Sequence, residues 1–149
     1  MKRLTALLFT LLAIPAAAVA IPAAAIPAAA QASTASCAVD YAVTAQWSGF
    51  FEAEITVSFT GLPAQDGWTL AFDFVSAGQR VVSAGNGMWS QSGRHVVVTS
   101  GPFSTVLPSG GSMSLGFIGS YVTVNPAPVN FVFNGIPCTE VTPVASSSR

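Results

Sequence analysis

Phe51, Ala53, Ile55, Val57 and Phe59 alternate with Glu52, Glu54, Thr56 and Ser58, the period of two expected of a strand with one buried and one solvated face. The pattern returns at Trp68, Leu70, Phe72 and Phe74, which alternate with Thr69, Ala71 and Asp73. Met113, Leu115 and Phe117 alternate with Ser112, Ser114, Gly116 and Ile118, and Phe131 and Phe133 mark a fourth strand. Residues 37–46 and 94–100 are rich in Val, Tyr and Thr and favour two more. Turn signals separate them: Gly61-Leu62-Pro63, Gly85-Asn86-Gly87, Ser92-Gly93, Gly101-Pro102, Pro108-Ser109-Gly110-Gly111 and Asn125-Pro126. No stretch after the leader carries a helical i, i+3, i+4, i+7 apolar pattern free of Gly and Pro. Many short strands in one small chain predict an all-β fold, an antiparallel β-sandwich of the immunoglobulin-like or jelly-roll type.

The first 32 residues read differently. Met1-Lys2-Arg3 is a basic start, Leu4 to Ala20 is apolar, and small residues suit cleavage after Ala20 or Ala32. That is a secretory signal peptide. Its Ile-Pro-Ala-Ala-Ala unit occurs three times, at Ile14, Ile21 and Ile26, a local duplication that lengthens the leader. A membrane anchor would need about 20 unbroken apolar residues, and Pro15, Pro22 and Pro27 interrupt this one. The expected organisation is a leader over 1–32, a sandwich over 33–138 and a flexible polar tail over 139–149. The product is expected to be extracellular and monomeric, with no membrane contact after cleavage.

Charge narrows the partner. Beyond the leader, Arg80, Arg94 and Arg149 face Asp40, Glu52, Glu54, Asp66, Asp73 and Glu140, a formal net charge of −3. Nucleic acid requires clustered Lys and Arg, and the sequence beyond the leader has no such cluster. Cys37 and Cys138 stand at the two ends of the domain, and an even pair in an exported chain reads as a disulfide. The competing reading makes Cys37 a lipid-bearing N-terminus. Thr34-Ala35-Ser36 lacks the aliphatic residue such a signal uses, and Cys138 would lose its partner.

Catalytic chemistry finds little support. Polysaccharide hydrolysis needs two carboxyl groups flanking one bond, one of them with a raised pKa. Glu52 and Glu54 are the one close pair, and they share the outer face of a strand. His95 is the sole histidine, and no Gly-x-Ser-x-Gly elbow presents a serine to it. A metal centre would need several ligands at suitable spacing. The expectation is no catalytic residue, no metal and no cofactor. Three tryptophans offer more. Trp68 begins an alternating strand and reads as core, whereas Trp47 and Trp89 sit at strand ends beside turns. Such rings either cap the sandwich or, if exposed, match the axial C–H face of a sugar ring. Burying about 80 Å² of one ring is worth about 2 kcal/mol, so two or three on a plane reach useful affinity.

In this order and spacing the motifs resemble family 2 carbohydrate-binding modules, the cellulose-, xylan- or chitin-binding sandwiches of bacterial glycosidases. The resemblance rests on Cys-x-Val-x-Tyr at Cys37, on Gln46-Trp47 and on Asp66-Gly67-Trp68-Thr69-Leu70-x-Phe-x-Phe. Gln91-Ser92-Gly93, Leu107-Pro108-x-Gly110-Gly111, Gly116-Phe117-x-Gly119-Ser120 and Phe131-x-Phe-Asn134-Gly135-x-Pro137-Cys138 continue it. It implies a Cys37–Cys138 disulfide, a buried Trp68 and a planar strip of three exposed aromatics on an insoluble β-linked polysaccharide. Carried over, the strip places Trp47 first and Phe103 third. Its second position falls on Gly85, with Trp89 four residues later, a shift that keeps strand parity if the hairpin is remodelled. Polar positions that usually hold Asn or Gln carry Glu54, Ser114 and Ile118, which implies altered or weakened binding. The carbohydrate-binding set is therefore Trp47, Trp89, Phe103, Glu54 and Ser114. Residues 139–149 are too few for an attached enzyme, so a stand-alone module is expected. Two other classes stay open: a secreted adhesin or interaction protein that has lost glycan binding, and a glycoside hydrolase.

Overall fold

The computed structural model describes residues 34–102, 106–107 and 109–141. In chain order the strands are β1 (Ser36–Trp47), β2 (Phe50–Thr60), β3 (Gln65–Asp66), β4 (Thr69–Asp73), β5 (Arg80–Ala84) and β6 (Met88–Ser92). They continue with β7 (His95–Thr99), β8 (Val106–Leu107), β9 (Gly111–Ser120), β10 (Val129–Phe133), β11 (Ile136–Pro137) and β12 (Thr139–Val141). One sheet has the order β12-β1-β2-β9-β5 and the other β11-β10-β4-β7-β6, with β3 and β8 paired apart from both. The expected all-β sandwich is present. The ladders are antiparallel apart from one: β12 runs parallel to β1. The segment read as a tail thus starts as a strand, because the Cys37–Cys138 disulfide delivers the chain to the open edge of β1. Residues 142–149 lie outside the described residues, as does the leader over 1–32.

The alternation seen in the sequence builds the core. Phe51, Ile55 and Val57 of β2 face Leu70 and Phe72 of β4, Val96 and Val98 of β7 and Phe131 and Phe133 of β10, all buried. Phe72 lies at the centre, with ring centroids 5.3 Å from Phe131, 5.5 Å from Phe74 and 6.3 Å from Phe117. Edge-to-face and tilted aromatic pairs of this kind add to the area they bury. Trp68 is half-buried against this cluster.

Gly119 is the tightest point. It pairs with Phe51 across β2 and β9, and a methyl group there would run into the Cζ and Cε1 atoms of that fully buried ring. Overpacking of this sort costs about 1–3 kcal/mol. Gly119→Ala is therefore expected to lower the urea midpoint with an unchanged slope; an unaltered midpoint would show that the ring can move aside.

Candidate functional site

Trp47 reaches solvent through an irregularity in β1. Cys37, Val39, Tyr41 and Val43 pair with Phe59, Val57, Ile55 and Ala53, the inward residues of β2. Strict alternation would then turn Ala45 and Trp47 inward as well. Instead the register slips between Val43 and Ala45, leaving Thr44 unpaired, and Ala45 falls opposite Glu52 and Trp47 opposite Phe50. This β-bulge inserts one residue and flips every side chain beyond it. Trp47 consequently stands on the outer face, 47% exposed.

Its cross-strand partner is also aromatic. Phe50 is 41% exposed, its ring 6.3 Å from Trp47 centroid to centroid with the two planes inclined by 22°. Beyond this pair the outer face continues in rows. Glu52 is flanked by Ala45 and Ile118, Glu54 by Ala42 and Gly116, and Thr56 by Asp40 and Ser114. Thr56 and Ser114 join their hydroxyls at 3.2 Å. The face therefore collects Trp47, Glu54 and Ser114 from the expected set, together with Phe50. Glu52, Ser83, Gly85, Gly116 and Ile118 line a shallow depression of about 220 Å³ in it. Both glycines leave open space where a side chain would stand.

Trp89 does not join them. On β6 it pairs with the buried Val98 of β7, so it turns inward. Its ring lies 5.3 Å from Phe117 and 6.4 Å from Phe72, and its indole N–H donates to the Gly85 carbonyl at 3.1 Å. The parity expectation fails because the chain changes sheet between the two positions. Gly85 follows β5 and its N–H donates to Gly116 of the first sheet, whereas Trp89 belongs to the second. Phe103 lies outside the described residues.

A relay of hydrogen bonds steadies the turn that carries Trp47. Gln79 is completely buried and its Nε2 donates to Asn125 Oδ1 at 2.9 Å and to the Pro126 carbonyl at 2.8 Å. Asn125 Nδ2 donates to Gln46 Oε1 at 3.2 Å, and Gln46 Nε2 donates to the Tyr121 hydroxyl at 3.2 Å. The Tyr121 hydroxyl donates in turn to the Trp47 carbonyl at 3.1 Å, and the Tyr121 N–H to the Gly49 carbonyl at 2.9 Å. Each amide both accepts and donates, so the chain runs head to tail from the interior to the backbone of Trp47.

Comparison with known proteins places this arrangement. The family model described as cellulose binding domain matches residues 37–138. The chain belongs to the cellulose binding domain family, family 2 of the carbohydrate-binding modules. Endoglucanase CelA of Streptomyces lividans is 43% identical over 139 residues, covering 93% of this chain and 29% of that protein. The chain spans less than a third of the endoglucanase and exoglucanases it matches first. The cellulose/chitin binding protein Rv1987 of Mycobacterium tuberculosis is 31% identical over 109 residues, covering 72% of this chain and 76% of its own. Among solved structures, the chitin-binding domain of Chi18aC from Streptomyces coelicolor superposes with a TM-score of 0.57 at 32% identity. That match covers 69% of this chain and 94% of the other.

Within this cellulose binding domain, Phe50 is the residue that sequence reasoning missed. A signal existed: Phe51 is inward by alternation, so its neighbour at 50 must point outward, beside Trp47 across a two-residue turn. The relay left no such trace. Its members are spread from Gln46 to Asn125, and nothing local in the sequence ties them together.

Proposed function

We propose that the domain is a secreted, non-catalytic module that binds an insoluble β-linked polysaccharide of the cellulose, chitin or xylan type. The observation that carries this is the pair of exposed, nearly parallel rings of Trp47 and Phe50 on one sheet face. A pyranose ring presents an apolar C–H face, and covering it removes apolar area from water on both partners. Glu54 and Ser114 supply polar contacts further along the same face and orient the chain rather than hold it. Family membership supports the reading, as do the names of the mycobacterial cellulose/chitin binding protein and the Streptomyces chitin-binding domain. The leader over 1–32 supports export.

Glu52 and Glu54 are both solvent-exposed, so neither has the enclosed setting that a general acid of glycoside hydrolysis requires. Sedimentation with microcrystalline cellulose, chitin and xylan tests the proposal. The protein is expected to pellet with at least one of them and to stay bound in 1 M salt, because stacking on a neutral polymer is not screened. A protein left in the supernatant with all three polymers would overturn the binding reading. Release of reducing sugar would overturn the non-catalytic one.

A further inference from the structure

The outer face of the second sheet holds a second constellation, on the opposite side of the sandwich from Trp47. Ser92 of β6, His95 of β7, Asp73 of β4 and Val129 of β10 lie opposite one another in one row. Asp73 Oδ1 is 2.7 Å from His95 Nδ1, and Asp73 Oδ2 accepts a hydrogen bond from Asn130 Nδ2 at 3.0 Å. Asn130 adopts the left-handed conformation, with φ of 59°, where the register of β10 against β4 slips between Val129 and Val132. Arg94 anchors Nη1 on the Val75 carbonyl at 3.2 Å. Together these residues line a depression of about 440 Å³, with Val75 and Val129 as its apolar part.

In a chain with 7% charged residues, an aspartate, an arginine and the sole histidine meet at one place. A cross-strand ion pair needs only two partners; here the Asn130 amide joins as a third group and an open hollow lies beside them. The hydrogen bonds from His95 and Asn130 hold the Asp73 carboxyl below the usual aspartate range, so it is ionised and balances Arg94. With Nδ1 of His95 engaged by Asp73, its Nε2 is left for a ligand; Asn130 Oδ1 is an acceptor and the remaining Arg94 N–H groups are donors. A ligand matching this set is neutral, carries several hydroxyl groups that each donate and accept, and has a small apolar face.

We propose that Asp73, Arg94, His95 and Asn130 form a second sugar subsite that takes one neutral ring at a free oligosaccharide end. Among the described residues no exposed aromatic ring lines the hollow, Phe74 being fully buried with its ring on Phe72 and Phe117, so the subsite selects a single unit rather than a flat polymer surface. A module with both faces active holds a polymer on one side and a separate chain end on the other.

The test removes the first face and asks about the second. Trp47→Ala/Phe50→Ala protein, labelled with nitrogen-15, is titrated with cellobiose, N,N′-diacetylchitobiose and xylobiose to tens of millimolar. Saturable shifts at the Asp73, His95 and Asn130 amides with at least one disaccharide are expected. They should weaken at least fivefold in Asn130→Gly, which keeps the left-handed backbone and removes only the amide, and in His95→Ala. Absence of a saturable shift at this patch with all three sugars overturns the proposal. So do shifts that persist unchanged in both variants. Perturbation of wild-type protein confined to residues 47–54 would likewise remove the second subsite while leaving the aromatic face in place.

Discussion

Trp47→Ala is expected to weaken binding to the preferred polysaccharide about 30-fold, since losing about 80 Å² of stacked ring removes about 2 kcal/mol. Phe50→Ala should lose less, about fivefold to tenfold, because a phenyl ring covers less of the sugar and lacks the indole N–H. The double variant should not pellet measurably. Depletion isotherms on cellulose or chitin read these numbers directly, and thermal melts confirm that both variants remain folded, as exposed positions predict. A Trp47→Ala protein with an unchanged isotherm would move the binding surface elsewhere on the molecule. Tyr121→Phe is a graded control. It keeps both rings but cuts the last link of the relay to the Trp47 carbonyl, so it should reduce affinity by a few fold without abolishing it. The distinction matters because the exposed ring gains nothing from the core and depends on the turn to keep it in one orientation.

Removal of the Cys37–Cys138 bridge is the largest stability change expected. The bridge joins residues 101 apart in sequence, and cross-linking a loop of that length stabilises by about 4–5 kcal/mol in the chain-entropy model. Cys37→Ser/Cys138→Ser protein should therefore melt roughly 20 °C lower, and reduction of the wild type should have the same effect. Part of the loss is local, because β12 follows Cys138 directly and its parallel pairing with β1 depends on that anchor. A fall of only a few degrees would show that the two ends are held together by the sheet itself. The two measurements separate cleanly. The bridge lies at the far end of β1 from Trp47, so Trp47→Ala should leave the melting temperature almost unchanged.

The fold and the face were legible to different degrees. Uninterrupted alternation announced β2, β4, β9 and β10, because a strand buried on one side must place an apolar residue at every second position. The edge strands β5 and β6 were not announced. Most of their residues face solvent, so their composition is free of that demand. A pair of cysteines at the two ends of the domain carried the disulfide. Alternation carried Glu54 and Ser114 to the outer face, and it would have carried Phe50 there too.

The positions of Trp47 and Trp89 were decided by tertiary structure alone. Extended from Cys37, the period of two assigns Trp47 to the core; one unpaired residue, Thr44, turns it out. The same period carried Gly85 onto Trp89, yet the chain passes from one sheet to the other between them and Trp89 packs inward on Phe117. Alternation records a side chain's face only while the ladder is unbroken. A bulge or a change of sheet is settled by which strands pair, and pairing is a property of the whole sandwich rather than of any stretch of sequence.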